Sequence, residues 1–152
     1  MSRRAAIVMT DQEIQEFLQT ARTLQVATIG RDGYPHLIAM WYVLFEQRIA
    51  FWTYAKSQKA VNLRRDQRLT CLVEAGQRYE ELRGVQIKGQ ATLIDDCETV
   101  RRYGELIMER YTGPLNDATR PMVAAQAAKR LVVVVNPVEI TSWDHRKLGG
   151  VY

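Results

Sequence analysis

Residues 36–54, HLIAMWYVLFEQRIAFWTY, decide the fold. The stretch is apolar and aromatic almost throughout and is interrupted only at Glu46-Gln47-Arg48. Aromatic and β-branched side chains suit a pleated, half-buried surface. The spacing predicts a central strand over 36–45, a short turn, and a further strand over 49–54. Strand alternation puts Met40, Tyr42 and Leu44 on one face, and Trp41, Val43 and Phe45 on the other. One face is expected to point inward, leaving the other as an apolar platform.

Upstream, LQVATIG (24–30) alternates like a strand, and RDGYP (31–35) carries the Asp-Gly core of a tight turn. The three strands are therefore expected to form an antiparallel meander. Thr10 and Glu13 make a capping box, and Ile14, Phe17, Leu18 and Ala21 follow at helical spacing, which predicts an amphipathic helix over 11–22. Residues 1–9 before it are expected to be a flexible N-terminus. Downstream, strands are expected at 69–75, at 83–95 with bends or bulges at Gly84 and Gly89, and at 130–144 with an interruption at Pro137. Asp95 or Asp96 is placed to cap a helix carrying Val100, Tyr103, Leu106, Ile107 and Tyr111, and an Ala-rich helix follows over about 120–129. Six strands with short helices and closely spaced turns predict a mainly β (α+β) chain, closed as a small antiparallel barrel. The chain lacks a βαβ rhythm and a GxGxxG segment, which argues against a dinucleotide-binding sheet.

A chain of 152 residues fits one domain, here taken as 1–152, and carries enough residues for a core. Its two cysteines, Cys71 and Cys97, belong to no CxxC pair and are expected to be buried thiols in a reducing compartment. No stretch approaches the length of a membrane span or a signal peptide, so the expected setting is cytoplasmic, with no membrane partner. The formal net charge is +4. A nucleic-acid surface would interleave aromatics with cations on one face. Here the aromatics sit in the strands and the cations follow them, so no nucleic-acid partner is expected.

Those cations cluster in TYAKSQKAVNLRRDQR (53–68), which has five basic side chains and one acid between two apolar runs. A strand ending near Tyr54 and a helix starting near Ser57 would bring Lys56, Lys59 and the Ser57 hydroxyl to a helix N-terminus. Such a terminus attracts phosphate, although a solvated basic helix fits the spacing equally well. Two histidines, His36 and His145, are too few for a His-rich metal site, and none is expected.

Taken in order, VATIGRDGYPHLIAMWYVLFEQRIAFWTYAKSQKAVNLRRDQRLTCLVE, RGVQIKGQATLIDD and SWDHRKLGGVY resemble the flavin/deazaflavin oxidoreductases of the pyridoxamine 5'-phosphate oxidase-like superfamily. The last two segments are similar to the branch that uses coenzyme F420. The most telling segment, AKSQKAVNLRRDQRL, is similar to a family motif of a small or basic residue followed by Lys59, Asn62-Leu63, Asp66 and Arg68; Gln67 stands where proline is common. The resemblance implies a six-stranded antiparallel split β-barrel, assembled as a homodimer with the cofactor between subunits. It implies that Lys59, Lys56, Ser57 and Thr53 hold the cofactor's phosphate, with Asn62 carried over in the same motif. Ile38, Ala39, Met40 and Tyr42 would border the tricyclic ring, and Trp143, Arg146 and Lys147 would approach from the partner chain. Cations at the groove mouth, Arg64, Arg65 and Lys147, favour F420 and its anionic tail, with FMN as the alternative. The implied reaction is hydride transfer between the cofactor and a small conjugated acceptor, with water or the Tyr42 hydroxyl supplying a proton. A flavin- or F420-binding carrier without turnover is the other reading.

Overall fold

The computed structural model describes residues 2–150; expectations reaching residues 1, 151 and 152 lie outside them. Seven strands form one antiparallel sheet: β1 (Leu24–Ile29), β2 (Pro35–Met40), β3 (Val43–Phe45), β4 (Arg48–Tyr54), β5 (Arg68–Ala75), β6 (Arg83–Ile94) and β7 (Arg130–Asp144). Their order is β2-β1-β5-β6-β7-β4-β3. β2 and β3 are thus opposite edges of the sheet, yet only Trp41 and Tyr42 separate them in sequence. That connection is possible only if the sheet curls until its edges meet, which makes a barrel split between β2 and β3. The predicted central strand over 36–45 is therefore two edge strands, and the predicted meander is two hairpins, β1–β2 and β3–β4. This raises the strand count from six to seven; the fold class stands.

The alternation survives the break. Tyr42 is fully buried in the barrel core, with Met40 and Leu44 packed against that core, while Val43 and Phe45 face the opposite layer. The barrel core gathers Leu24, Val26, Phe51, Val85, Ile87, Leu131 and Val133. Burying such side chains stabilises by roughly 1.5–3 kcal/mol each. α2 (Asp11–Thr20) leads into the Leu24 end of β1, and α3 (Gln58–Arg65) is tied to Thr28 near its other end. Both helices add apolar residues to the barrel core: Ile14, Phe17 and Leu18 from α2, Ala60 and Leu63 from α3. A second core lies outside the barrel, where α4 (Cys97–Thr112) and α5 (Thr119–Ala127) cover Ala50, Trp52, Val132 and Val134.

The capping box forms as predicted: Thr10 Oγ1 accepts from the Glu13 amide, and Glu13 Oε2 accepts from the Thr10 amide. Asp96, not Asp95, caps α4 through the Thr99 amide. Pro137 does not interrupt β7. The register shifts at Lys88/Gly89, so that β7 carries one extra residue there. Gly89 is needed at this bulge, because a Cβ would lie 2.7 Å from the Asn136 carbonyl oxygen. The N-terminal segment is also held more firmly than expected. α1 spans Arg3–Ala6, Met9 is buried, its amide donates to Ser142 Oγ, and Ile7 accepts from the Asp144 amide. Cys71 is buried and its thiol is pushed up to about 12 by that burial, whereas Cys97 is exposed, contrary to expectation. Among the described residues no helix is long and apolar enough to cross a membrane.

Candidate functional site

The basic bend folds as its spacing suggested. β4 ends at Tyr54, Ser57 caps α3, and the Ser57 hydroxyl accepts from the Ala60 amide at 3.3 Å. Lys59, in the first turn, is 8% exposed, and its Nζ donates to Thr53 Oγ1 at 3.0 Å. Thr53 Oγ1 and Ser57 Oγ lie 3.1 Å apart. Three donors expected to hold a phosphate are thus gathered at one helix start. No carboxylate pairs with Lys59 among the described residues. Burial first, and the Arg130 guanidinium second, hold the Lys59 ammonium below the usual lysine range. A buried cation with a hydroxyl partner and no counter-ion is poised to gain from an anion.

The surrounding residues divide into those that face the ligand space and those that brace it. Asn62 is fully buried; its Nδ2 donates to Thr28 Oγ1 and its Oδ1 accepts from Gln58 Nε2, so it ties α3 to β1. Arg64 donates to the Ala55 carbonyl and Arg65 to the Ile29 carbonyl, bracing the bend while remaining exposed. Lys56 stands exposed in the turn.

A cleft of about 410 Å³ opens on the opposite face of β4, lined by Thr23, Ala39, Met40, Trp41, Trp52 and Arg130; none of Thr53, Ser57 and Lys59 lines it. A volume of this order accommodates a small organic ligand. Ala39 and Met40 are among the residues expected at a ring; Ile38 lies on β2 beside them, partly exposed, and does not line the cleft. Trp41 stacks on Tyr111 with ring centroids 4.5 Å apart. Trp52, Trp41 and Arg130 were not among the predicted site residues. The aromatic platform hinted at Trp41 alone. Arg130 carried no local signal, because β7 brings it to Tyr54 from 76 residues away in sequence.

Tyr42 needs correction. It is fully buried, and its hydroxyl donates to the carbonyls of Leu18 at 2.5 Å and Ala21 at 3.1 Å. Burial raises its pKa, with Arg110 opposing the shift. The hydroxyl stays protonated and turned into the core, so Tyr42 neither borders the cleft nor delivers a proton. It anchors the β2–β3 crossover to the end of α2, with the Arg110 guanidinium 4.4 Å from its ring centroid.

Within one chain, Trp143, Arg146 and Lys147 are not brought to the bend. They stand at or beyond the far end of the 15-residue β7, about 45 Å from Arg130 measured along the strand. Trp143 packs over Gly84, Arg146 grips Asp144, and Lys147 Nζ donates to Glu13 Oε2 at 2.6 Å. His145 is held by the Tyr79 carbonyl.

A family profile described as Pyridoxamine 5'-phosphate oxidase matches residues 10–144. Among curated proteins, none matches the chain. The crystal structure of the conserved hypothetical protein Rv2991 from Mycobacterium tuberculosis is 47% identical, with a TM-score of 0.92 over 100% of this chain and 95% of that one. An F420 reductase shares the fold at 23% identity and a TM-score of 0.68, over 83% of this chain and 94% of that one. HutZ, the heme storage protein from Vibrio cholerae, shares it at 18% identity and a TM-score of 0.67, over 86% and 92%. The profile spans the bend, the cleft strands and all of β7, and the chain belongs to the pyridoxamine 5'-phosphate oxidase family.

Proposed function

We propose that the protein is an oxidoreductase that binds F420, or alternatively FMN, and serves hydride transfer between it and a small conjugated acceptor. The observation that carries this is the buried Lys59, held by Thr53 beside the Ser57 hydroxyl with no carboxylate partner among the described residues; a cleft walled by Trp41 and Trp52 lies across β4 from it. The donor set fits a phosphate handle: cations and hydroxyls converge without a carboxylate. The apolar cleft fits a flat ring. When bound, such a cofactor supplies two-electron hydride chemistry. This chain's residues then have plainer tasks. Lys59, Ser57 and Thr53 hold the anion, Met40, Trp41 and Trp52 orient the ring and exclude water, and Arg64 and Arg65 add positive field at the mouth. That field favours F420, whose tail is more anionic. The fold shared with an F420 reductase supports the same choice.

With Tyr42 turned into the core, Thr23 is the only hydroxyl-bearing side chain among the residues lining the cleft. That favours a second reading, a carrier that holds the cofactor without turnover. Absorbance after loading with F420 or FMN and removing the free pool tests the binding reading; a protein that retains neither band is not a cofactor protein. Steady-state assays with reduced cofactor and varied acceptors then separate enzyme from carrier.

A homodimer belongs to the same proposal. α4 and α5 cover β3, β4, early β7 and the Ile94 end of β6. On the uncovered part, Leu37 and Val138 are 65% and 72% exposed, and a shallow depression of about 370 Å³ includes Ala27, Leu69, Thr70 and Val138. Apolar surface of this kind suits a second copy. Sedimentation velocity giving a monomer would remove this part.

A further inference from the structure

Arg130 opens β7 opposite Tyr54 on β4. Its guanidinium carbon lies 4.2 Å from the Tyr54 ring centroid and 4.6 Å from that of Trp52. Stacking on two rings fixes the plane of the guanidinium, an arrangement suited to planar recognition of an oxyanion. Its Nε is buried without a hydrogen-bond partner. Among the described residues no carboxylate pairs with it. The ion-paired arginines among the described residues have side chains at least 39% exposed and are already matched; Arg130 is half-buried and unmatched. It lines the cleft, and its field reaches Lys59 across the end of β4. The two cations repel each other weakly across the strand, and a ligand's negative charge would relieve that repulsion.

We propose that Arg130 is a ligand-holding residue of this cleft, binding an oxyanion of the ligand that the cleft takes, with Trp52 and Tyr54 flanking it. The proposal rests on the cofactor reading for the ligand's identity but not for its chemistry, because phosphate alone carries the group recognised. A buried donor that is unsatisfied in the free protein gains its bond only when ligand arrives, so affinity depends steeply on Arg130.

The test titrates F420, FMN and inorganic phosphate into wild type, Arg130→Met and Arg130→Lys. Fluorescence reads cofactor affinity, and the Nε–H resonance of Arg130, assigned by its loss in Arg130→Lys, reads contact directly. The expected result is a shift of that resonance with whichever probe binds. Affinity should fall about 10- to 100-fold in Arg130→Met. The loss in Arg130→Lys should be partial, because charge is kept and the planar fork is lost. If a cofactor binds and Arg130→Met binds it equally well, the inference is overturned while the cofactor reading stands. If phosphate moves the resonance but neither cofactor binds, the inference stands and the cofactor reading fails. If no probe moves the resonance, the inference is overturned, whether or not the Met variant folds.

Discussion

The two ends of β7 are both rich in cations, and they treat them in opposite ways. At the C-terminal end, Asp144 is 5% exposed and takes Arg146 through paired bonds of 2.9 and 2.6 Å, while Lys147 meets Glu13. The Arg146 guanidinium holds the Asp144 carboxyl below its usual range, so folding favours the charged pair. At the N-terminal end, Lys59 and Arg130 have hydroxyl and aromatic neighbours and no acid, and folding disfavours the charge that Lys59 carries. A net charge of +4 describes neither end. The location of the carboxylates separates cations that brace the fold from cations that wait for a ligand.

The largest expected effect falls on Lys59. Replacing it with Met should weaken F420 or FMN binding about 10- to 100-fold, the range for losing a charged hydrogen-bond partner. The same change should leave thermal stability equal or higher, because it removes a buried cation that lacks a counter-ion. Fluorescence titration and a melting curve read the two together. A variant that melts earlier and binds normally would erase the contrast between the ends.

Gly104 tests the shelf beneath Arg130. A Cβ there would lie 2.4 Å from the Trp52 ring. Gly104→Ala should therefore displace Trp52 and cost roughly 1–3 kcal/mol of stability, the usual range for overpacking. Its melting curve and its F420 or FMN affinity should both fall. A loss of stability with intact affinity would show that Trp52 does not aim the cleft.

The site's two halves differ in how legible they were. Ser57 and Lys59 were readable because a helix cap and its first turn are local, set by residues a few positions apart. The barrel was readable from strand count and turn chemistry, and the faces of Met40 through Phe45 followed from alternation. The split at Trp41–Tyr42 was not, because a continuous apolar run looks the same whether one strand crosses a sheet or two edges meet. Tyr42 was misjudged for the same reason: its carbonyl partners come from the end of α2. Arg130 was invisible because its meaning comes from rings on another strand, paired across the sheet.

The depressed Lys59 value gives the pH dependence a sign. The unfolded chain holds its lysine proton to higher pH than the folded one. Between those two values the unfolded state binds more protons, so the ligand-free protein should gain stability as pH rises through the folded value. An anion bound at Lys59 favours the ammonium, so affinity should fall over the same alkaline interval, with proton uptake on binding. Calorimetry in two buffers of different ionisation enthalpy reads that uptake. A phosphate monoester such as that of FMN also loses a charge below about pH 6, whereas a diester such as that of F420 does not, so the acidic limb separates the two cofactors.

The smallest effect on cofactor affinity is expected at the other end, and it carries the sharpest information about assembly. Arg146 is 55% exposed but its partner Asp144 is buried, so Arg146→Ala leaves that carboxylate short of a donor and should cost about 1–3 kcal/mol of stability. Cofactor affinity should change by less than about threefold, because within one chain the pair braces the fold. The family resemblance implies that this segment reaches the partner's cleft, which one chain alone does not allow over the length of β7. A tenfold loss of affinity in Arg146→Ala, disappearing at dilutions where the protein is a monomer, would mean that the bracing end of one copy completes the waiting end of another. The two ends of β7 would then be halves of a single site.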